Sequence, residues 1–121
     1  MMLRRKVLAI VLLAVCAMIC FAQANETIQM PPVKARQLDG IVRAADQPVQ
    51  DAHVEECDEG WKRVLTATMT DANGHFHLTP VGKSPMHYLR IYAPNFNVSE
   101  YPVKLSRFAH AELQLTIHVG T

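Results

Sequence analysis

Thr70-Asp71-Ala72-Asn73-Gly74-His75-Phe76-His77-Leu78 is the stretch that decides the fold. Asn73 and Gly74 both tolerate positive φ, and the Asp71 side chain can cap the turn, so residues 71–74 read as a hairpin connection. Beyond it the period becomes two. Phe76 and Leu78 point one way, His75 and His77 the other, which is a strand with one face to bury and one to wet. Phe76 is expected in the core.

Upstream, Val64 to Thr70 is rich in β-branched residues, and Asp58-Glu59-Gly60 precedes it as a turn. Ala52, Val54 and Glu56 alternate with His53 and Glu55. Ala45-Asp46-Gln47-Pro48 is another turn, behind the alternation of Leu38, Gly40 and Val42. Downstream, Leu89, Ile91 and Ala93 alternate with Tyr88, Arg90 and Tyr92, and Pro94-Asn95 breaks the run. Tyr101 to Leu105 is a short strand. Leu113, Leu115, Ile117 and Val119 form the cleanest apolar stripe. Seven runs at such spacing predict an all-β fold, an antiparallel seven-stranded β-sandwich over residues 37–121. The connections are too short for the crossover helices of a parallel α/β fold. A short helical turn is allowed near Ser106 to His110. Residues 25–36, with Met30-Pro31-Pro32 and no apolar period, read as a flexible lead.

The first 24 residues read as an address. Arg4, Arg5 and Lys6 precede an unbroken apolar run from Val7 to Ala22, and Ala22-Gln23-Ala24 has small residues at both ends. A positive segment, an apolar segment and such a site define a secretory signal peptide cleaved after Ala24. The run is short for an uncleaved spanning anchor. Leu13-Ala14-Val15-Cys16 has the outline of a lipidation motif, but Val15 stands where a small residue is usual. The expected location is therefore secreted or periplasmic, with no stable membrane span after cleavage.

Cleavage leaves nine basic against eleven acidic residues, net −2, and Cys57 as the one remaining cysteine. No intramolecular disulfide can form, so the 121-residue chain, one domain by length, folds on core burial. Cys57 is expected to be buried, the alternative being a pairing with another chain; Glu55, Glu56, Asp58 and Glu59 around it oppose a reactive thiolate. The balanced charge gives no electrostatic case for nucleic acid, and no nucleic-acid partner is expected.

Four of these segments belong together. Leu38-Asp39-Gly40-Ile41-Val42, then Gln47-Pro48-Val49-Gln50-Asp51-Ala52-His53-Val54, then Thr70 to Leu78, followed by Leu89 to Phe96, resemble the carboxypeptidase regulatory-like domain, a prealbumin-like β-sandwich. That pattern reads G-x-V, P-V-x-x-A-x-V, T-D-x-x-G-x-F and a strand closing in A-P-G-F/Y. The likeness covers essentially all of the mature chain. It implies a fold and an extracytoplasmic setting, with no catalytic residues and no cofactor. Asn95 stands where Gly is usual, and it also accepts positive φ.

Enzymes of similar architecture are expected not to apply. The Tyr-Arg-Gly-Ser tail of transthyretin-like hydroxyisourate hydrolases is replaced by His118-Val119-Gly120-Thr121. Intradiol dioxygenases, which resemble the same hairpin, hold iron with two Tyr and a His pair; Met86 and Tyr88 stand where that pair would be. Ser84, Ser99 and Ser106 lie in no nucleophile context. Asp71-x-Asn73-Gly74 lacks the distal Glu of a calcium loop.

No metal site is expected, although all six histidines lie beyond residue 24. His75 and His77 on one strand face are the residues that would hold zinc or copper, with His53 and Glu55 as conceivable neighbours. Tyr88, Arg90 and Tyr92, facing outward together, are the candidate ligand face, suited to sugar stacking or a protein partner. Trp61 is expected as a plug over its hairpin, with exposure for contact as the alternative. Asn97-Val98-Ser99 and Asn25-Glu26-Thr27 match glycosylation sequons, relevant only in a eukaryotic secretory route. The sequence thus predicts a non-enzymatic, structural or protein-binding module at the cell envelope. Glycan binding through the Tyr/Arg/Tyr face and a diverged prealbumin-like enzyme are the alternatives, and pairing of edge strands leaves a homodimer open.

Overall fold

In the computed structural model, residues 26–109 and 112–120 are described. The expectations for the signal peptide, its cleavage site, the lipidation motif and the Asn25 sequon concern residues outside that range. Asp71 does cap its turn. Its Oδ1 accepts the backbone N–H groups of Asn73 and His75, both at 2.9 Å, and Gly74 closes the bend at φ +78°.

The described residues form ten strands in chain order: β1 (Thr27–Gln29), β2 (Val33–Ala35), β3 (Leu38–Ala44), β4 (Gln47–Pro48), β5 (His53–Cys57), β6 (Val64–Met69), β7 (His75–Leu78), β8 (Met86–Tyr92), β9 (Val98–Leu105) and β10 (Leu113–Thr116). The first sheet runs β1-β9-β8-β5-β6, with β2 also on β9; the second runs β10-β3-β4, with β7 also on β3. The described residues contain no helix, and none that could cross a membrane. Ser106 to Ala109 is a turn, closed by Ala109 N–H on the Ser106 carbonyl at 3.1 Å.

The seven expected runs correspond to β3 and β5 through β10. Three short strands are additional, and the sheets are mixed rather than antiparallel. β10 lies parallel to β3, and β1 and β2 lie parallel to β9. Hairpin partners such as β5 and β6 are forced antiparallel by their short link; strands remote in sequence carry no such constraint. Regular structure therefore starts in the segment read as a lead, ahead of Gln37. β9 also starts three residues before Tyr101, because Ser99 and Glu100 are polar yet buried and hide the strand from a hydrophobicity reading.

Alternation sets the core. Leu38, Val42, Phe76, Leu78, Leu113 and Leu115 come from the second sheet; Val54, Leu89, Ile91, Tyr101 and Val103 come from the first. One core shared by two sheet faces is the β-sandwich solution. Phe76 is 6% exposed, as expected, whereas Val119 leaves the stripe at 70%. One contact locks the two layers together, and another closes the second sheet on itself. Tyr101 Oη donates to the Thr116 carbonyl at 2.7 Å and accepts its N–H at 2.9 Å, joining β9 to β10. Gly40 lets β10 close on β3, for a Cβ there would stand 2.5 Å from Leu113 Cβ and from its carbonyl oxygen.

Candidate functional site

The outer face of the first sheet carries the predicted ligand residues. With Leu89 and Ile91 fully buried, Tyr88, Arg90 and Tyr92 face outward, each half-buried. They do not stand free. β8 pairs with β5 so that His53 lies opposite Tyr92, Glu55 opposite Arg90 and Cys57 opposite Tyr88. The His53 and Tyr92 rings stack at 4.6 Å with 4° between planes. Tyr92 Oη donates to Glu55 at 2.7 Å, and that bond to a carboxylate raises the phenol's pKa.

Arg90 is held from three sides. Its Nε and Nη2 each lie 2.8 Å from Glu100 Oε2, Nη2 donates to the Trp61 carbonyl at 2.7 Å, and Glu55 lies at 3.9 Å. Burial opposes the charge, but the Glu100 hydrogen bond and the surrounding acids outweigh it and hold the guanidinium above its ordinary value. Gln29 of β1 hydrogen-bonds the other Glu100 oxygen. Glu100 is thereby satisfied while almost fully buried.

Trp61 closes this face, as the plug reading expects. Asp58 Oδ1 accepts the N–H groups of Lys62 at 2.8 Å and Arg63 at 3.3 Å, and Trp61 N–H donates to the Asp58 carbonyl. The tight loop puts Trp61 at φ +61°, a costly conformation for a bulky side chain. Its indole meets Tyr88 edge-on at 5.4 Å and lies under the Arg90 guanidinium at 5.9 Å. Cys57 is 1% exposed, confirming its burial. Desolvation raises its thiol pKa; Arg90 pulls the other way, and Glu55, Glu100 and Asp58 add to the rise.

Among the described residues, two clefts adjoin the face. One, of about 350 Å³, is lined by Glu56, Cys57, Asp58, Glu59, Leu65, Val81, Ser84, Met86 and Tyr88. The other, about 260 Å³, lies between the His53–Tyr92 stack and Phe96, with Pro94 and Val98. Beside the first runs β6, one edge strand of the sheet, with Val64, Leu65 and Met69 exposed at 51%, 39% and 47%.

His75 and His77 do face outward on β7, but each meets one carboxylate: His75 that of Glu112 at 3.1 Å, His77 that of Asp39. His53 and Glu55 belong to the other sheet. Among the described residues no group of three His, Cys, Asp or Glu side chains is placed to hold a metal ion. The second sequon is not presented by the folded surface, since Asn97 and Ser99 are 7% and 0% exposed.

The pair that sequence reading missed is internal. Glu56 and His87 hydrogen-bond at 2.7 Å on the core side, and the other Glu56 oxygen accepts the Val81 N–H at 2.9 Å. Its signal was parity: both residues fall on the inward positions of their strands.

Fold and face together define an all-β, two-sheet module whose outward polar groups are largely bonded to one another and whose open element is a strand edge. No family model matches the chain, and no curated protein matches it. The likeness to the carboxypeptidase regulatory-like domain rests on the quoted residues alone.

Proposed function

We propose that this protein is a non-enzymatic, exported binding module of the carboxypeptidase regulatory-like kind, which takes a protein partner by strand addition along β6. The observation that carries this reading is the character of that edge. Val64-Leu65-Thr66-Ala67-Thr68-Met69 contains no charge and no proline, and it lines an open edge with three exposed apolar side chains. Natural edges are ordinarily guarded by Lys, Pro, short length or a bulge. Here one irregularity, between Glu56 and Cys57 opposite the start of β6, is the guard, and the strand beyond it is regular. An added strand gains main-chain hydrogen bonds from the edge and specificity from its alternate side chains.

A photo-activatable side chain at Ala67 tests it. Capture of a discrete envelope protein from Ala67 on β6, and none from His77 on the second sheet, is the expected result. Equal capture from both positions, or none from Ala67, removes the reading.

Glycan binding is the second reading, favoured by the cleft of His53, Tyr92, Pro94 and Phe96. Aromatic walls of this kind suit a sugar face. It would use Tyr92 without Tyr88 or Arg90, which Trp61 covers. A glycan array with no signal lost on Tyr92→Ala ends it.

A further inference from the structure

Three exposed apolar residues, Val64, Leu65 and Val81, gather at the start of β6. Val64 and Leu65 start the strand, and Val81, 43% exposed, comes from the loop before β8. Leu65 and Val81 share the walls of the 350 Å³ cleft with Met86 and Tyr88. Glu56 and Cys57 form its buried floor, while Asp58 and Glu59 stand at the rim. Three acidic residues line the cleft, two of them at its rim, and no Lys or Arg does. Lys62, Arg63 and Lys83 lie outside the lining, although the charges of Arg63 and Lys62 also reach Asp58 and, among the described residues, leave Glu59 as the acid free of any cation.

The three acids differ in availability. Glu56 is engaged by His87 and the Val81 N–H. Asp58 is kept ionised by the N–H groups of Lys62 and Arg63, which lower its pKa. Glu59 is exposed, and among the described residues it enters no ion pair.

We propose that this cleft seats a lysine or arginine side chain carried by the extended partner segment that adds to β6. The inference rests on the strand-addition reading. An aliphatic stem lies against Leu65, Val81, Met86 and Tyr88 and delivers its cation to Asp58 and Glu59, the way long basic side chains bury a stem and keep the head wet. A strand laid along β6 projects alternate side chains onto one face, so a residue level with Leu65 reaches the cleft. Charge selects the occupant. A second copy of this chain would offer the uncharged Val64–Met69 segment and leave the acidic rim unmatched.

Short labelled peptides of alternating Thr and Val, with Lys, norleucine or Glu at one central position, test the proposal by fluorescence anisotropy on the full mature chain. The Lys peptide is expected to bind about tenfold tighter than the norleucine peptide, with Glu weakest. Added salt narrows that gap, and Glu59→Lys reverses the order. Ala67→Pro abolishes binding of all three; amide exchange across β6 in the unsubstituted protein reports the same engagement if that variant does not fold. Equal affinity for Lys and norleucine peptides, both lost in Ala67→Pro, overturns the cation seat and leaves strand addition standing. Absence of binding by every peptide, or binding with no added protection of β6 amides, overturns both. A dimer in sedimentation that Ala67→Pro abolishes gives the edge to a second copy and likewise overturns the proposal.

Discussion

Glu56 and His87 face each other across 2.7 Å, each side chain 2% exposed, between β5 and β8 on the core side of the first sheet. A carboxylate there is tolerable because both oxygens are bonded, one to the imidazole and one to the Val81 N–H. The pair also fastens the loop before β8, one wall of the acid-rimmed cleft, to the sheet interior.

Removing one partner strands the other. His87→Ala is expected to destabilise the protein by about 3–5 kcal/mol, whereas Glu56→Leu combined with His87→Leu costs far less, because no buried charge is left unpaired. Urea midpoints of the single and double variants measure this. A single variant within about 1 kcal/mol of the parent would show the pair is dispensable.

Gly40→Ala is expected to cost about 3 kcal/mol or more, since the new methyl overlaps Leu113 backbone and side chain and must push β10 off β3. Gly82→Ala is the comparison. Gly82 has φ +81° but no atom within 4 Å of an added Cβ, so only the backbone penalty of about 1–2 kcal/mol applies. Thermal melts that rank the two variants in the opposite order contradict the close packing of β3 and β10.

Tyr101 makes stability fall in alkali. Burial raises its phenol above the ordinary 10.0, against the opposing hydrogen bond to Thr116. Below that value both folded and unfolded chains keep the phenol neutral, and its stabilisation is complete. Above it the unfolded chain ionises first, so stability declines as pH rises toward the folded-state value. Tyr92 acts in the same direction. Tyr101→Phe should cost about 1–3 kcal/mol at neutral pH by orphaning the Thr116 N–H and carbonyl, and should flatten the alkaline decline. Denaturation at neutral and alkaline pH checks both parts; an unchanged alkaline slope refutes the second.

Cys57 should resist alkylation. With its thiol buried and its pKa raised, iodoacetamide is expected to react at least about a hundredfold more slowly with the folded chain than with the urea-unfolded one. Folded and unfolded rates within about twofold of each other would place Cys57 at the surface.

Legibility followed the physics of each segment. The Asp71–Gly74 turn was readable because its chemistry is local, and Asn95 took the expected positive φ of 71° for the same reason. The inward and outward parity of β5, β7 and β8 was readable because a sheet half-buried on one face imposes period two. β1 and β2 were not, since three residues hold no period. The outward direction of Tyr88, Arg90 and Tyr92 was legible; that Trp61, Glu55 and Glu100 would cover or bind them was not.

Alternation and turn chemistry, both properties of neighbouring residues, were enough to establish a β chain, its main strands and the sides its residues face. Tertiary structure alone decided that β10 runs parallel to β3, that Glu56 finds His87, and that β6 ends its sheet. Each of those is a meeting of segments far apart in sequence, and side-chain periodicity carries no information about which strand arrives beside which.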